Sequence, residues 1–256
     1  MNMHSYDNLQ VREVFHIEFL RAFTKKIRPS FYVLKGGVNM RLFFGSVRYS
    51  EDMDMDVNTV SVSVLRDTVM KIIVSASFQN ELKVFGIEKI LPPDMTKAKQ
   101  TQTTQRFKIH LITHQGEDLF TKVEFSRRQP SGNAIVESVS EKVLHYYRIS
   151  PLIISHYDAI SAITQKINAL VNRRMVQARD IFDLYILSTQ ISSKVNITPV
   201  TAKAASENIF SVSFHQFRDT VLNYLSEEDR LTYDNSGLWD EIKLNVNELI
   251  CVNHKK

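Results

Sequence analysis

The chain has 256 residues, 43% hydrophobic and 23% charged, with a formal net charge of +4. This is the composition of a globular chain of one or two domains, and its mild basic bias admits a nucleic-acid partner without requiring one. A single cysteine, Cys251, excludes intramolecular disulfides and cysteine-based zinc sites, and seven glycines are too few for collagen-like or Gly/Ser-linker classes and form neither G-x-G-x-x-G nor a P-loop.

Residues 7–26 carry Val11, Phe15, Phe19 and Phe23 at steps of four with charges between, which predicts an amphipathic helix ended by Pro29-Ser30. FYVL (31–34) reads as a short strand broken by Gly36-Gly37. Residues 38–44 have helical spacing, with Arg41 as a candidate substrate contact and Gly45 as the C-cap. MDMDV (53–57) alternates with the period of a strand, and 62–81 suit one helix. Strands are expected over 83–91, 105–113 and 119–126, the last two joined by the turn HQGED. After about residue 155 helices are expected at 158–171, 178–187, 214–225 and 239–250; the first places Ile160, Ile163, Ile167 and Leu170 on one face. The expected division is a mixed α/β domain, 1–155, and a helical domain, 156–256. The N-terminus lacks a signal-peptide pattern and no apolar run reaches membrane length, so a cytoplasmic protein with no membrane partner is expected.

Asp52, Asp54 and Asp56 fall on one face of the expected strand. Three carboxylates so close repel one another. Either the face is a solvated acidic surface or a divalent cation compensates it, and hard oxygen donors favour magnesium or manganese over zinc. The upstream flank favours the cation. A helix start preceded by glycine binds phosphate through free amides and a favourable dipole. Phosphate cradle, short helix and metal-binding strand make a unit for a nucleoside triphosphate, in which Gly36 and Gly37 let the backbone approach the phosphates. Glu124, in LysValGluPhe (122–125), is either a solvated strand residue or the third metal ligand.

The run LKGGVNMRLFFGSVRYSEDMDMDV, then TKVEFS, then QKINALVNRRMVQARDIFDLY (165–185) resembles the AbiEii/AbiGii-type nucleotidyltransferases of the DNA polymerase β-like superfamily. The resemblance spans residues 34–185 and implies an α+β fold: a nucleotidyltransferase-type mixed sheet with flanking helices, followed by a C-terminal helical lobe. It implies Gly36-Gly37 as the phosphate-binding turn, Asp52 and Asp54 as metal ligands, Glu124 as the third acid, and Lys166 as a contact to the triphosphate or transition state. Asp180 and Asp183 would be the acidic pair of the helical lobe, and Ser50 would lie near the nucleotide. Val38 stands where the family often has threonine, Asp56 is an extra acid, and 186–256 carry no family motif.

Apart from the resemblance, Lys166 reads as a lysine laid along apolar neighbours, and Asp180 and Asp183 as salt-bridge or N-cap residues with Arg173, Arg174 or Arg179. Arg127-Arg128 and His254-Lys255-Lys256 are weak phosphate candidates. The expected activity is magnesium- or manganese-dependent transfer of a nucleoside monophosphate from an NTP to RNA, at a transfer RNA 3′ end, in a toxin with a cognate antitoxin. The alternatives are a degenerate nucleotide- or RNA-binding module, or transfer to a protein or small molecule.

Overall fold

A computed structural model describes residues 6–95, 98–128, 132–191 and 195–251. The tail His254-Lys255-Lys256 lies outside the described residues. The chain forms two compact units: one from residues 1–42, 49–130 and 134–156, the other from 43–48, 131–133 and 157–256. No helix among the described residues is long and apolar enough to cross a membrane.

The first unit opens with helix α1 (Asn8–Thr24). Asp7 caps it, accepting from the amides of Leu9 and Gln10, while the Gln10 side chain accepts from the Asp7 amide. The expected Phe15, Phe19 and Phe23 stripe is fully buried, with the Phe23 ring 5.5 Å from that of Phe125. The helix is not amphipathic, however: Glu13, His16 and Glu18 are buried as well. Each has a partner, Arg41 for Glu13, Thr121 for His16 and Arg21 for Glu18. Polar groups can enter a core when their hydrogen bonds are met there.

Strand β1 (Tyr32–Lys35) follows a 3-10 turn, and helix α2 (Gly36–Phe43) begins directly at its end. The two glycines therefore start the helix instead of separating it from the strand. Next come β2 (Asp52–Val57), α3 (Val62–Ile73), α4 (Ala76–Lys83), β3 (Ile87–Leu91), β4 (Thr104–Thr113) and β5 (Asp118–Ser126). The single helix expected over 62–81 is two, because the backbone turns extended at Ser75. Then β6 (Ala134–Ser138), α5 (Glu141–Tyr147) and β7 (Ile153–Tyr157) complete a mixed sheet of order β3-β4-β5-β2-β1-β7-β6. β2 runs antiparallel to β1 and parallel to β5, so the acid strand lies in the interior of the sheet. Met53, Met55 and Val57 point into the core and the aspartates to the other face, as the alternation requires.

The second unit is helical: α6 (Ala159–Asn172), α7 (Ala178–Ser188), α8 (Pro199–Ser211), α9 (Phe214–Thr220), α10 (Glu227–Tyr233) and α11 (Ser236–Cys251). Ile163, Ile167 and Leu170 are buried as expected, but Ile160 is 45% exposed, since it falls on the first turn at the solvent side. Phe182, Phe217 and Trp239 form the aromatic centre; the Phe217 and Trp239 rings stack 4.3 Å apart, and the indole N–H donates to the Val212 carbonyl. The fold is α+β.

Candidate active site

Register places the first-unit acids. Asp54 stands opposite Lys35 of β1 and Glu124 of β5, and Asp52 opposite Lys122. Cations hold three of the four acids. The Lys122 ammonium reaches Asp52 at 2.5 Å, Lys35 reaches diagonally to Asp56 at 2.5 Å, and Arg106 Nε donates to Glu124 Oε2 at 2.6 Å. Asp56, the acid without a family role, is thus a buried anchor for Lys35. The Asp54 carboxylate makes no hydrogen bond or ion pair among the described residues. Burial pushes its pKa up, and the charges of Glu124 and Asp52 push the same way against Lys35 and Lys122.

Gly36 adjoins that carboxylate. Its φ of +71° is left-handed, and a Cβ there would lie 3.1 Å from Asp54 Oδ2. Glycine is needed both for the torsion and for the approach. The helix α2 therefore starts, with its unsatisfied amides and positive dipole end, beside the one unpaired acid of the strand. Gly37 is the second residue of that helix. Val38 turns into the core, 4% exposed.

No group of three or more His, Cys, Asp and Glu side chains among the described residues is gathered to hold a metal. Asp52 and Glu124 are turned toward Lys122 and Arg106. The donor chemistry nonetheless fits a hard dication: an unpaired carboxylate is raised by two neighbouring carboxylates, the repulsion that such an ion relieves.

Two further expected residues lie around this strand. Ser50 Oγ–H donates to the Asp52 carbonyl at 2.7 Å, fixing the entry to β2. Arg41 donates to Glu13 at 2.6 Å and lies 4.1 Å over the Tyr49 ring, while the Tyr147 hydroxyl donates to Glu13. Arg41, Ser50 and His16 line a small pocket with Glu13, Val38 and Leu42. The Thr121 hydroxyl donates to the Glu51 carbonyl, so it accepts from His16 Nε2–H at 2.8 Å. Burial, aided by the charge of Arg12, lowers the His16 pKa to about 3, and the ring stays neutral.

Lys166, Asp180 and Asp183 come together in the second unit. Lys166 reaches Asp180 at 3.1 Å and Asp183 at 2.5 Å; Arg173 reaches Asp180 at 3.1 Å. Both carboxylates are fully buried. Arg48 completes the cluster with its guanidinium Nε and Nη2 within 3.2 Å of Asp183. Asp180 thus pairs with Arg173, one of the arginines expected from spacing, whereas Asp183 pairs with Arg48 and Lys166; Lys166 is a half-buried ion-pair partner, not a lysine on an apolar face. Burial alone would raise Asp183, but Arg48 and Lys166 outweigh it and hold the carboxyl below its usual range. Sequence reading missed Arg48, Lys35 and Arg106 as partners of these acids. For Lys35 there was a signal: it directly precedes the glycine turn.

An acid-bearing interior strand next to a glycine-started helix, in a mixed sheet with flanking helices, defines a nucleotidyltransferase fold. The chain belongs to the nucleotidyl transferase AbiEii toxin family of the type IV toxin–antitoxin system, whose model matches residues 18–236. It is similar in fold to MenT4, the nucleotidyltransferase toxin Rv2826c from Mycobacterium tuberculosis H37Rv, with 15% identity, a TM-score of 0.60, and coverage of 97% of this chain and 85% of that one. It is also similar to JHP933 from Helicobacter pylori, at 16% identity and a TM-score of 0.56 over 98% and 94% of the two chains. A putative nucleotidyltransferase from H. pylori gives 19% identity and a TM-score of 0.52 over 94% of each. No curated protein sequence matches.

Proposed function

We propose that the chain transfers a nucleoside monophosphate from an NTP to an RNA hydroxyl, at a transfer RNA 3′ end, with magnesium or manganese held by Asp52, Asp54 and Glu124. The observation that carries this reading is Asp54: a half-buried, unpaired carboxylate adjoining the start of α2. A carboxylate and a helix N-terminus side by side form a site for a cation and the phosphate it accompanies. When bound, the dication would neutralise charge on the phosphates and activate the acceptor hydroxyl.

The chain's own groups then have distinct tasks. The amides of Gly36 and Gly37 hold the β- and γ-phosphates. Lys122 and Lys35, one strand over on either side, keep the face from repelling a triphosphate. Ser50 holds the Asp52 backbone, and Arg41 anchors α2 to α1 through Glu13. Lys166 enters the reading through the family resemblance, as a cation for phosphoryl oxygens. Asp180 and Asp183 are its positioning residues, since both fix its ammonium, and Arg48 and Lys166 hold the Asp183 carboxyl below its usual range. A cognate antitoxin is the protein partner the family implies.

The test is incubation with each labelled NTP and total RNA. Label is expected in transfer RNA, to be lost with EDTA or in Asp52→Asn without loss of folding. Label in protein or a small molecule instead would move the acceptor to another class, and unchanged transfer by Asp52→Asn would overturn the mechanism.

A further inference from the structure

A second cleft in the first unit has the chemistry of a phosphate site. It is open, about 590 Å³, and lined by Thr59, Val60, Ser61, Ser63, Arg66 and Arg127 with neighbouring Val62 and Gln102. None of these is acidic. Arg127 follows β5 directly. Its terminal nitrogens donate to the Val60 carbonyl and Gln105 Oε1, while its buried Nε has no hydrogen-bond partner. Its guanidinium thus meets only neutral acceptors, with no carboxylate ion pair among the described residues. A partly buried cation without counter-charge is favourable only when an anion completes it. Arg66 pairs with Asp67 at 3.0 Å, but both are about half exposed, 47% and 55%, so that pair is weak and leaves Arg66 available. Ser61 caps α3 by accepting from the Val64 amide, and its hydroxyl and that of Ser63 are 3.2 Å apart at the cleft.

We propose that this cleft, through Arg66, Arg127 and the Ser61 and Ser63 hydroxyls, binds a phosphodiester of the RNA acceptor. The assignment rests on the reading of RNA as acceptor. The cleft follows the C-terminal ends of β2 and β5, whereas Asp52 and Asp54 occupy the N-terminal half of β2. Val60 lies six positions after Asp54, a span of at most about 20 Å at the rise of a strand. At about 3.4 Å per stacked nucleotide, a strand with its terminus at Asp54 reaches the cleft within about six nucleotides. The cleft therefore serves acceptor retention, apart from the chemistry.

The experiment measures binding of a twelve-nucleotide RNA to the full chain without NTP, across a salt series, for wild type, Arg127→Gln, Arg127→Lys and Arg66→Gln. Expected is about tenfold weaker binding for Arg127→Gln, partial recovery in Arg127→Lys, and a few-fold loss for Arg66→Gln. The slope of log affinity against log salt should fall by about 0.7 for each glutamine variant. Arg127 also braces Val60 and Gln105, so Arg127→Gln can lose its fold; Arg66 braces nothing buried, and its variant keeps the test decisive. RNA affinity and salt slope unchanged in Arg66→Gln would overturn the proposal, as would binding of inorganic phosphate at the cleft with no binding of RNA. Absence of label in RNA, with the arginine variants still weakening RNA binding, would overturn the transfer reading and leave the cleft in place.

Discussion

Asp54 is a charge in a place that disfavours charge. Its folded-state pKa lies above that of the unfolded chain, so the unfolded state gives up its proton first. Without a dication, its own contribution to stability is therefore greatest below the ordinary aspartate range and falls as pH rises through the raised value. Asp54→Asn removes that repulsion. In metal-free buffer at neutral pH we expect a higher melting temperature than wild type, together with a loss of transfer of about two orders of magnitude or more. A variant that is less stable and equally active would contradict this account. His16 has the opposite dependence. Its pKa is depressed to about 3 by burial, so it contributes stability that is complete above about pH 6.5 and drains away as pH falls toward 3. Urea unfolding across that window should show a steep acid loss in wild type and a flatter one in His16→Gln. At this scale the aspartates were legible from their alternation, while their partners were not: Arg106 and Arg48 are far in sequence from Glu124 and Asp183, and only register and packing bring them together.

Among the elements, α2 is the one whose start matters. Alanine at Gly36 would have to hold a left-handed torsion, at about 1–2 kcal/mol, with its Cβ 3.1 Å from Asp54 Oδ2. Gly36→Ala should lower the melting temperature by about 2–8 °C. Transfer should fall further than that loss of folding explains, because either the turn or the carboxylate must move. Measuring both on one sample separates the effects. The strands and helices with strong periodicity, such as β4, β5 and α7, were legible in the sequence. β6, β7, α5, α8 and α10 were not. β6 is a short, mostly exposed strand without alternation, and β7 is a five-residue run, IISHY, which periodicity does not separate from a buried helix segment. The Phe stripe of α1 announced a helix, but the burial of its polar side depends on Arg41, Arg21 and Thr121, which the local pattern does not contain.

At the scale of the whole chain, Phe43–Arg48, from the last residue of α2 toward β2, groups with the helical unit. Arg48 is its ion-pair residue, 5% exposed against a fully buried Asp183. Removing one partner of a buried pair costs about 3–5 kcal/mol, since the other charge is left short of compensation. Arg48→Ala is expected to lower the melting temperature by about 6–20 °C. The loss should persist in high salt, because a buried pair is screened little. A loss that salt abolishes would show that the pair is solvated.

The sequence by itself determined the class of chemistry. Residue types and spacing from Gly36-Gly37 to Asp52 and Asp54, with the segments 119–126 and 165–185, marked the nucleotidyltransferase family, and strand periodicity fixed which acids share a face. What the sequence could not determine is which of those acids is uncompensated. Asp52, Asp54 and Asp56 are equivalent in the alternating pattern, yet Lys122 and Lys35 occupy the outer two and leave Asp54 beside the helix start. That distinction comes from cross-strand register and the ion pairs it sets, which are long-range and have no local signature.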